Sequence, residues 1–212
     1  MTIKLFTYWR SSAAYRVRIA LNLKQLEHEL IPINLVKGEQ KENTYRERNP
    51  QGLVPFLEDG TVAIGQSLAI LEYLEETYPE PALLPGGIPE RAAVRSFCNL
   101  ICCDVHPLNN LRVLKYHGWR LDVQDDERDR WYAHWIHEAF RAIELQLEDR
   151  DGPYTFGQAV TLADLCLVPQ VYNARRFKVP LDEYPRLVAV VDRCNELSAF
   201  QASAPEKQPD FQ

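Results

Sequence analysis

The chain has 212 residues, of which 46% are hydrophobic and 25% charged, a composition typical of a globular protein and not of a disordered or fibrous one. Its 30 acidic residues outnumber its 24 basic residues, and the net charge of −6 disfavours nucleic acid as the main partner. The sequence contains no run of 18 apolar residues, so we expect no membrane partner. Five cysteines without CxxC spacing indicate a reducing compartment, and we expect a cytoplasmic protein.

The first 82 residues carry strand and helix patterns in alternation. Residues 3–8 alternate apolar and polar side chains, which predicts a strand. Helical spacing begins at Ala14, so Ser11 or Ser12 is expected to cap the first helix. A second helix is expected after Gln66-Ser67. Further strands are predicted at 30–35, 53–57 and 61–64. The pattern βαβ followed by ββα predicts a small mixed sheet with helices.

A segment rich in proline and glycine, residues 78–89, separates this region from a helical one. We therefore predict a first domain over 1–82, a linker over 83–89 and an all-helical domain over 90–212. The residues after 205 are polar enough to fray. The predicted helices span 90–116, 124–149, 162–177 and 185–195.

A capping box is predicted where the third of these helices begins. Thr161 and Asp164 stand three positions apart. Thr161 can therefore accept a hydrogen bond from the Asp164 N–H, while the Asp164 carboxylate accepts one from the Thr161 N–H. This motif concerns folding and not chemistry.

The strand-to-helix turn around Ser11 and Ser12 is the main candidate for chemistry. Free backbone amides and the positive end of the helix dipole meet the two hydroxyls there, an environment that stabilises an anion such as a thiolate. Plain capping by both serines is the alternative interpretation. The basic residues support an anionic small ligand, since five of them precede the first acidic residue: Lys4, Arg10, Arg16, Arg18 and Lys24.

Two further segments of the first domain could bind a ligand. Val54-Pro55 lies between strand signals, where proline indicates a cis bond or a turned edge and leaves the Val54 backbone free for a peptide-like ligand. An ordinary strand start is the alternative. Gln66-Ser67 offers a helix N-terminus and a hydroxyl, which suit a carboxylate.

The helical region carries weaker signals. His134 and His137 lack a third ligand at useful spacing, so no metal is expected. His106 lies in a polar cluster beside an internal proline, where a kink facing a cleft is expected. Arg175-Arg176 ends an apolar helix, which is also the usual place for a solvated basic pair.

Taken together, these motifs resemble the glutathione transferase superfamily, and residues 11–21 (SSAAYRVRIAL) resemble its zeta-class signature SSCxxRVRIAL, with Ala13 in place of the cysteine. Residues 37–40, 49–55 and 168–177 extend the likeness. The resemblance implies an α/β thioredoxin-like N-terminal domain plus an all-α C-terminal domain, with glutathione as cofactor, and a homodimer.

The zeta class includes isomerases of maleylacetoacetate and maleylpyruvate, so the resemblance implies cis–trans isomerisation of a small dicarboxylate diketo acid. Four residues then carry the reaction: Ser11 and Ser12 with the thiol, and Arg10 and Arg176 with the substrate carboxylates. The residues implied to contact glutathione are Ser11, Ser12, Ala13, Gln40, Val54, Pro55, Gln66, Ser67, His106, Asn110 and Arg112, with Asp104 reaching the glutathione of the partner subunit.

Two other functions are compatible with the same motifs. One is a general glutathione transferase that acts on electrophiles or α-halo acids, against which the retention of Arg10 and Arg176 argues. The other is a non-catalytic interaction protein on the same fold, since a fold does not fix a function. The intact hydroxyls of Ser11 and Ser12 argue against that one.

Overall fold

A computed structural model describes residues 2–212, without the side chain of Trp119. The chain forms two compact units. One comprises the residues up to Leu83 together with Asn195–Gln212, and the other comprises Leu84–Cys194. The helical domain predicted over 90–212 includes the last 18 residues, which in the structure belong to the first unit.

The first unit contains a four-stranded mixed sheet in the order β2-β1-β3-β4. Strand β1 runs parallel to β2 and antiparallel to β3, which pairs antiparallel with β4. This is the small mixed sheet that the strand pattern predicts, and it agrees with the thioredoxin-like domain that the family resemblance implies. Strand β3 begins after the predicted start because Pro55 has no N–H to donate to the ladder. The strands are β1 (Ile3–Thr7), β2 (His28–Pro32), β3 (Phe56–Asp59) and β4 (Val62–Gly65).

Helix α1 is buried on almost every side, from Ala14 to Leu21. The two neighbouring helices α3 and α9 both pack against it. The apolar residues that recur at helical spacing in the sequence form one face of α1. Helix α9 covers another face, which carries polar side chains. The helices of this unit are α1 (Ser12–Leu23), α2 (Asn43–Arg46), α3 (Ser67–Thr77) and α9 (Ser198–Ser203), with 3₁₀ turns at Glu39–Lys41 and Pro205–Lys207.

The last residues do not fray as their polarity suggested. Gln208 is buried, and its side-chain amide donates to the carbonyl oxygens of Ala202 and Ala204 at 3.1 and 2.8 Å. Two residues further on, Asp210 bonds the backbone of Trp9. Long-range hydrogen bonds that composition does not reveal therefore order this segment.

The second unit is helical, as predicted, but the single helix expected over 90–116 is wrong. A π-helical turn over Leu100–Val105 follows α4, and the chain turns at Pro107 before α5 begins. Proline lacks the N–H that a continuous helix needs at this point, and Asn110 caps the new helix. The helices are α4 (Ile88–Asn99), α5 (Leu111–Arg120), α6 (Asp125–Gln146), α7 (Leu162–Arg176) and α8 (Pro185–Asn195).

The predicted capping box at the start of α7 is confirmed. The fully buried carboxylate of Asp164 accepts from the backbone N–H groups of Thr161 and Thr155, at 2.7 and 2.8 Å, and from the Thr161 hydroxyl at 3.1 Å. Burial raises the pKa of this carboxyl group, and the hydrogen bonds from Thr155 and Thr161 act in the opposite direction. The box therefore joins the loop before α7 to the first turn of the helix.

Candidate glutathione-binding site

The register of the sheet brings three candidate segments to one edge. Phe6 pairs with Phe56, and Phe56 pairs with Gly65. The chain that follows Phe6 is the strand-to-helix turn, the chain before Phe56 is Val54-Pro55, and the chain after Gly65 is Gln66-Ser67. The first two of these segments contribute side chains to one buried cluster, which comprises Phe6, Tyr8, Trp9, Tyr45, Val54 and Phe56. Motifs from three separate parts of the first unit thus meet at one place.

The turn itself has the geometry that an anion requires. Ser11, one of the two predicted caps, is the N-cap of α1, and its Oγ accepts from the backbone N–H of Ala14 at 3.2 Å. That bond uses the acceptor side of the hydroxyl and leaves its hydrogen to donate elsewhere. Ser12 is buried at the first position of the helix, and Ala13 is half-buried behind it. Backbone donors and the helix dipole at this end favour negative charge.

Arg18, which the sequence suggests only as one of five basic residues near an anionic ligand, instead holds the turn in place. Arg18 is fully buried, and its guanidinium donates to the carbonyl oxygens of Tyr8 and Trp9, at 3.3 and 3.0 Å, and to the Thr7 hydroxyl at 3.1 Å. Arg16 is also buried. The available signal was the presence of two arginines inside a helix that is otherwise apolar.

Arg10 is half-buried beside this turn. Its guanidinium carbon lies 5.3 Å from the centre of the Trp9 ring and 6.0 Å from that of Tyr8. Among residues 2–212, no acidic side chain forms an ion pair with Arg10. Aromatic rings orient the cation while its charge stays available to an anionic ligand.

The Val54-Pro55 peptide bond is cis, one of the two predicted possibilities. Val54 is buried, and its backbone N–H and C=O have no hydrogen-bond partner within the described part of the chain. The preceding carbonyl, that of Leu53, accepts from the Tyr45 hydroxyl at 2.6 Å and from the Asn49 side chain at 2.8 Å. Burial raises the pKa of Tyr45 to about 12. The segment before the proline is thus fixed while Val54 remains available to a ligand.

The N-terminus of α3 offers Ser67, which is buried, and Gln66, which is exposed. Gln66 occupies the N-cap position with φ of 68° but makes no side-chain capping bond; its amide donates to Gln51 at 2.7 Å. The Ser67 hydroxyl accepts from the guanidinium of Arg16 at 3.1 Å. The hydroxyl of Ser67 is therefore oriented from within the protein.

Gln40 lies on the 3₁₀ turn of the same unit, and its side-chain Oε1 is buried without a partner. Gly52 approaches this residue closely. A Cβ atom at Gly52 would lie 2.8 Å from the Gln40 backbone oxygen, and the φ of +63° also favours glycine. The turn is thus held against the loop that leads to Val54.

The candidates of the second unit fall into two groups. Asp104 is exposed on the π-helical turn, while His106 and Asn110 lie at the break before α5, with 3.4 Å between the His106 Nε2 and the Asn110 amide. The Asn110 side-chain oxygen caps α5 by accepting from the backbone of Arg112 at 3.1 Å. The proline kink is thus polar, as expected, and Arg112 is exposed beside it.

Arg176 ends α7 and is exposed. Its guanidinium lies over the ring of Phe177 at 4.4 Å, and Phe177 stacks on Tyr132 at 3.7 Å. Burial raises the pKa of Tyr132, and the neighbouring charge of Arg176 opposes that shift. The adjacent Arg175 differs, because it forms an ion pair with Asp192 at 2.9 Å. Residues 2–212 hold no group of three side chains suited to a metal and no helix with the length and apolarity to span a bilayer.

Comparisons with known proteins agree with this geometry. The family model "Glutathione S-transferase, N-terminal domain" matches residues 5–82, and the C-terminal domain model matches residues 115–202. The chain is 48% identical over 212 residues to a probable maleylacetoacetate isomerase of Vibrio cholerae, covering 99% of both chains.

Two solved structures are also similar. A maleyl pyruvate isomerase, described as a bacterial zeta-class glutathione S-transferase, has a TM-score of 0.96 and 44% identity, over 99% of this chain and 100% of that one. A maleylacetoacetate isomerase of Anaeromyxobacter dehalogenans with bound GSH in its active site has a TM-score of 0.90 and 41% identity, over 100% and 98%. The chain belongs to the zeta-class glutathione S-transferase family.

Proposed function

We propose that this protein is a glutathione-dependent cis–trans isomerase of a maleyl diketo acid, either maleylacetoacetate or maleylpyruvate. The observation that carries the proposal is the sheet edge where the N-termini of α1 and α3 and the free backbone of Val54 meet. The names of the similar proteins give the same reaction. A fold alone would not select it, because the superfamily fold serves many reactions.

The first unit has groups that fit each part of glutathione. The Ser11 hydroxyl and the backbone N–H groups at the start of α1, at Ser12 and Ala13, suit a thiolate. Val54 and Pro55 suit the peptide portion, and the γ-glutamyl end is assigned to Gln66 and Ser67. The buried, unpaired oxygen of Gln40 is one of the acceptors that a peptide amide would satisfy. When bound, glutathione supplies the nucleophilic sulfur that adds reversibly to the double bond and so permits rotation.

The substrate is a dianion, and arginine suits carboxylates because its planar fork can bind both oxygens. Arg10 has no acidic partner among the described residues and stands next to Ser11 in the chain. Arg176 ends α7, where its neighbour Arg175 is already paired. We assign both Arg10 and Arg176 to substrate carboxylates. The amides at Ser12 and Ala13 would stabilise the enolate charge that develops during addition.

The second unit supplies further groups by family likeness. His106, Asn110 and Arg112 are assigned to glutathione, and Asp104 to the glutathione of the partner subunit in a homodimer. Light scattering of the purified protein tests the dimer directly, since a single species with the mass of one chain contradicts it.

The activity test compares maleylacetoacetate and maleylpyruvate as substrates, with conversion followed by ultraviolet absorbance. We expect conversion with glutathione and none with S-methylglutathione, which keeps the peptide but lacks the thiol. Free thiol is titrated at the end, because an isomerase regenerates glutathione whereas a transferase consumes it. Equal conversion without any tripeptide would overturn the proposal, and loss of thiol in proportion to substrate would favour a general transferase.

A further inference from the structure

Helix α1 and its C-cap residue Lys24 bury three cations, two of which have compensating partners. Arg18 donates to backbone carbonyls and a hydroxyl, as described above. The ammonium group of Lys24 forms an ion pair with Glu75 at 2.9 Å and donates to the carbonyls of Tyr78 and Pro81. These partners satisfy the groups that burial removes from water.

Arg16 is the exception among these three. It is 1% exposed, and its Nη1 donates to the Ser67 hydroxyl at 3.1 Å, but its Nε and Nη2 have no acceptor. In the part of the chain that the structure describes, no carboxylate pairs with it. Arginine does not lose its proton in proteins, so this position carries a buried positive charge without a counter-ion. Such a charge is costly unless a ligand supplies the missing anion.

The position of Ser67 indicates where that anion would lie. Because the Ser67 oxygen already accepts from Arg16, its hydroxyl hydrogen is left to donate to something else. Ser67 is also the first residue of α3, whose first backbone N–H groups have no intrahelical partner. A hydroxyl hydrogen, helix amides and a buried cation behind them together favour a carboxylate.

We propose that Arg16 is a positioning residue for the α-carboxylate at the γ-glutamyl end of glutathione, acting through the Ser67 hydroxyl. The inference rests on the proposed assignment of glutathione to this sheet edge. Arg16 orients the hydroxyl toward the ligand and contributes its charge from inside the protein. Without ligand, the same charge lowers stability.

The test measures binding by calorimetry, not turnover. The probes are glutathione and 4-aminobutyryl-cysteinyl-glycine, which lacks only the α-carboxylate. Arg16→Met removes the charge and keeps most of the volume. Lys4→Met is the control, because it removes a charge from an exposed position of the same unit. We expect Arg16→Met to bind glutathione about tenfold or more weakly, as for a lost charged hydrogen bond, yet to bind the analogue like the wild type.

A second readout is thermal stability. Arg16→Met without ligand should melt at or above the wild-type temperature, and saturating glutathione should raise its melting temperature less than that of the wild type.

Equal weakening for both probes means a structural role and overturns the proposal, as does unchanged affinity for glutathione. If Arg16→Met does not fold, Arg16→Lys replaces it: this variant should still discriminate the probes, and loss of discrimination overturns the proposal. Failure of the wild type to bind glutathione would instead reject the proposed function.

Discussion

The carboxylate of Asp210 accepts a hydrogen bond of 2.9 Å from the backbone N–H of Trp9, although 201 positions separate the two residues. Phe211 adds an edge-to-face contact with the Trp9 ring at 4.9 Å between centroids. Trp9 is followed directly by Arg10 and Ser11. The end of the chain therefore supports the turn to which we assign the thiol.

Asp210→Ala should lower the melting temperature by about 2–8 °C, since a hydrogen bond to a charged group contributes about 1.5–3 kcal/mol and part of this is lost to solvent. It should also reduce kcat/KM, because the turn loses its outer support. The control is Asp182→Ala, at an exposed aspartate without an ion pair among the described residues. Thermal melting and steady-state kinetics of both variants check this, and identical behaviour of the two would contradict it.

Ser11→Ala should reduce turnover tenfold or more, since the loss of one oxyanion donor typically lowers kcat by about 100- to 1,000-fold, or about 2.7–4 kcal/mol. The measurement that locates the effect is the ultraviolet absorbance of thiolate as a function of pH with glutathione bound. The pKa of the bound thiol should be higher in the variant, so that thiolate appears only at higher pH.

Because Ser11 also caps α1, its loss affects stability as well as chemistry. Ser11→Gly separates the two roles, since glycine at the N-cap costs only a few tenths of a kcal/mol but has no side-chain donor. We expect Ser11→Gly to restore most of the melting temperature and not the turnover. Recovery of both would assign Ser11 to capping alone.

Arg176→Ala should raise KM for the dicarboxylate substrate by about tenfold or more, the scale of one charged hydrogen bond, and leave glutathione affinity unchanged. Arg175→Ala is a matched control, because it removes the neighbouring arginine, which pairs with Asp192. Substrate saturation curves at fixed glutathione give the comparison. An equal loss of affinity for both ligands in Arg176→Ala would refute the assignment.

Asp164→Ala should lower stability by about 3 kcal/mol, because it leaves buried donors of Thr155 and Thr161 without an acceptor. The melting temperature should fall by about 6–12 °C for a chain of this size. The fraction that remains folded should keep the wild-type KM for glutathione. Denaturant titration combined with active-site titration checks both points, and a changed KM with unchanged stability would move Asp164 from folding to binding.

The Tyr45 hydroxyl should lose its proton only at a pH above the usual range for tyrosine. Its pKa is raised from 10.0 to about 12 by burial, so the protonated form is favoured in the folded state. The resulting stability is fully present below pH 10 and is lost as the pH rises from 10 through about 12. Stability of the wild type should therefore decline more steeply than that of Tyr45→Phe over this interval. The difference between their tyrosinate absorbance curves should have its midpoint near pH 12, and a midpoint near 10 would show that Tyr45 is not buried in solution.

Features that depend on neighbouring residues could be predicted from the sequence. The Thr161–Asp164 spacing, the Ser11 cap and the strand pattern each act within a few positions of the chain, and the structure confirms them. The break after Val105 could be predicted only in part. Pro107 indicates a kink, but the π-helical turn and the new N-cap at Asn110 depend on how the ends of the two helices pack.

Features that depend on distant partners could not be predicted. The burial of Arg16 and Arg18 is one example, because no local pattern in the sequence shows that α3 and α9 enclose α1. The ordering of Asp210 needs Trp9, at the other end of the chain. The same holds for the meeting of Ser11, Val54 and Ser67, which follows from strand register and not from any one motif.

Helix α1 also has a consequence for biosynthesis. Arg18 and Asn22 both bond to Ser203, through its carbonyl oxygen at 3.1 Å and its hydroxyl at 2.7 Å. Residues 84–194 are contiguous, and all of them are synthesised before residues 195–212. Most of the first unit is therefore synthesised before the second unit, yet helix α1 cannot be enclosed until residues 195–212 have also been made.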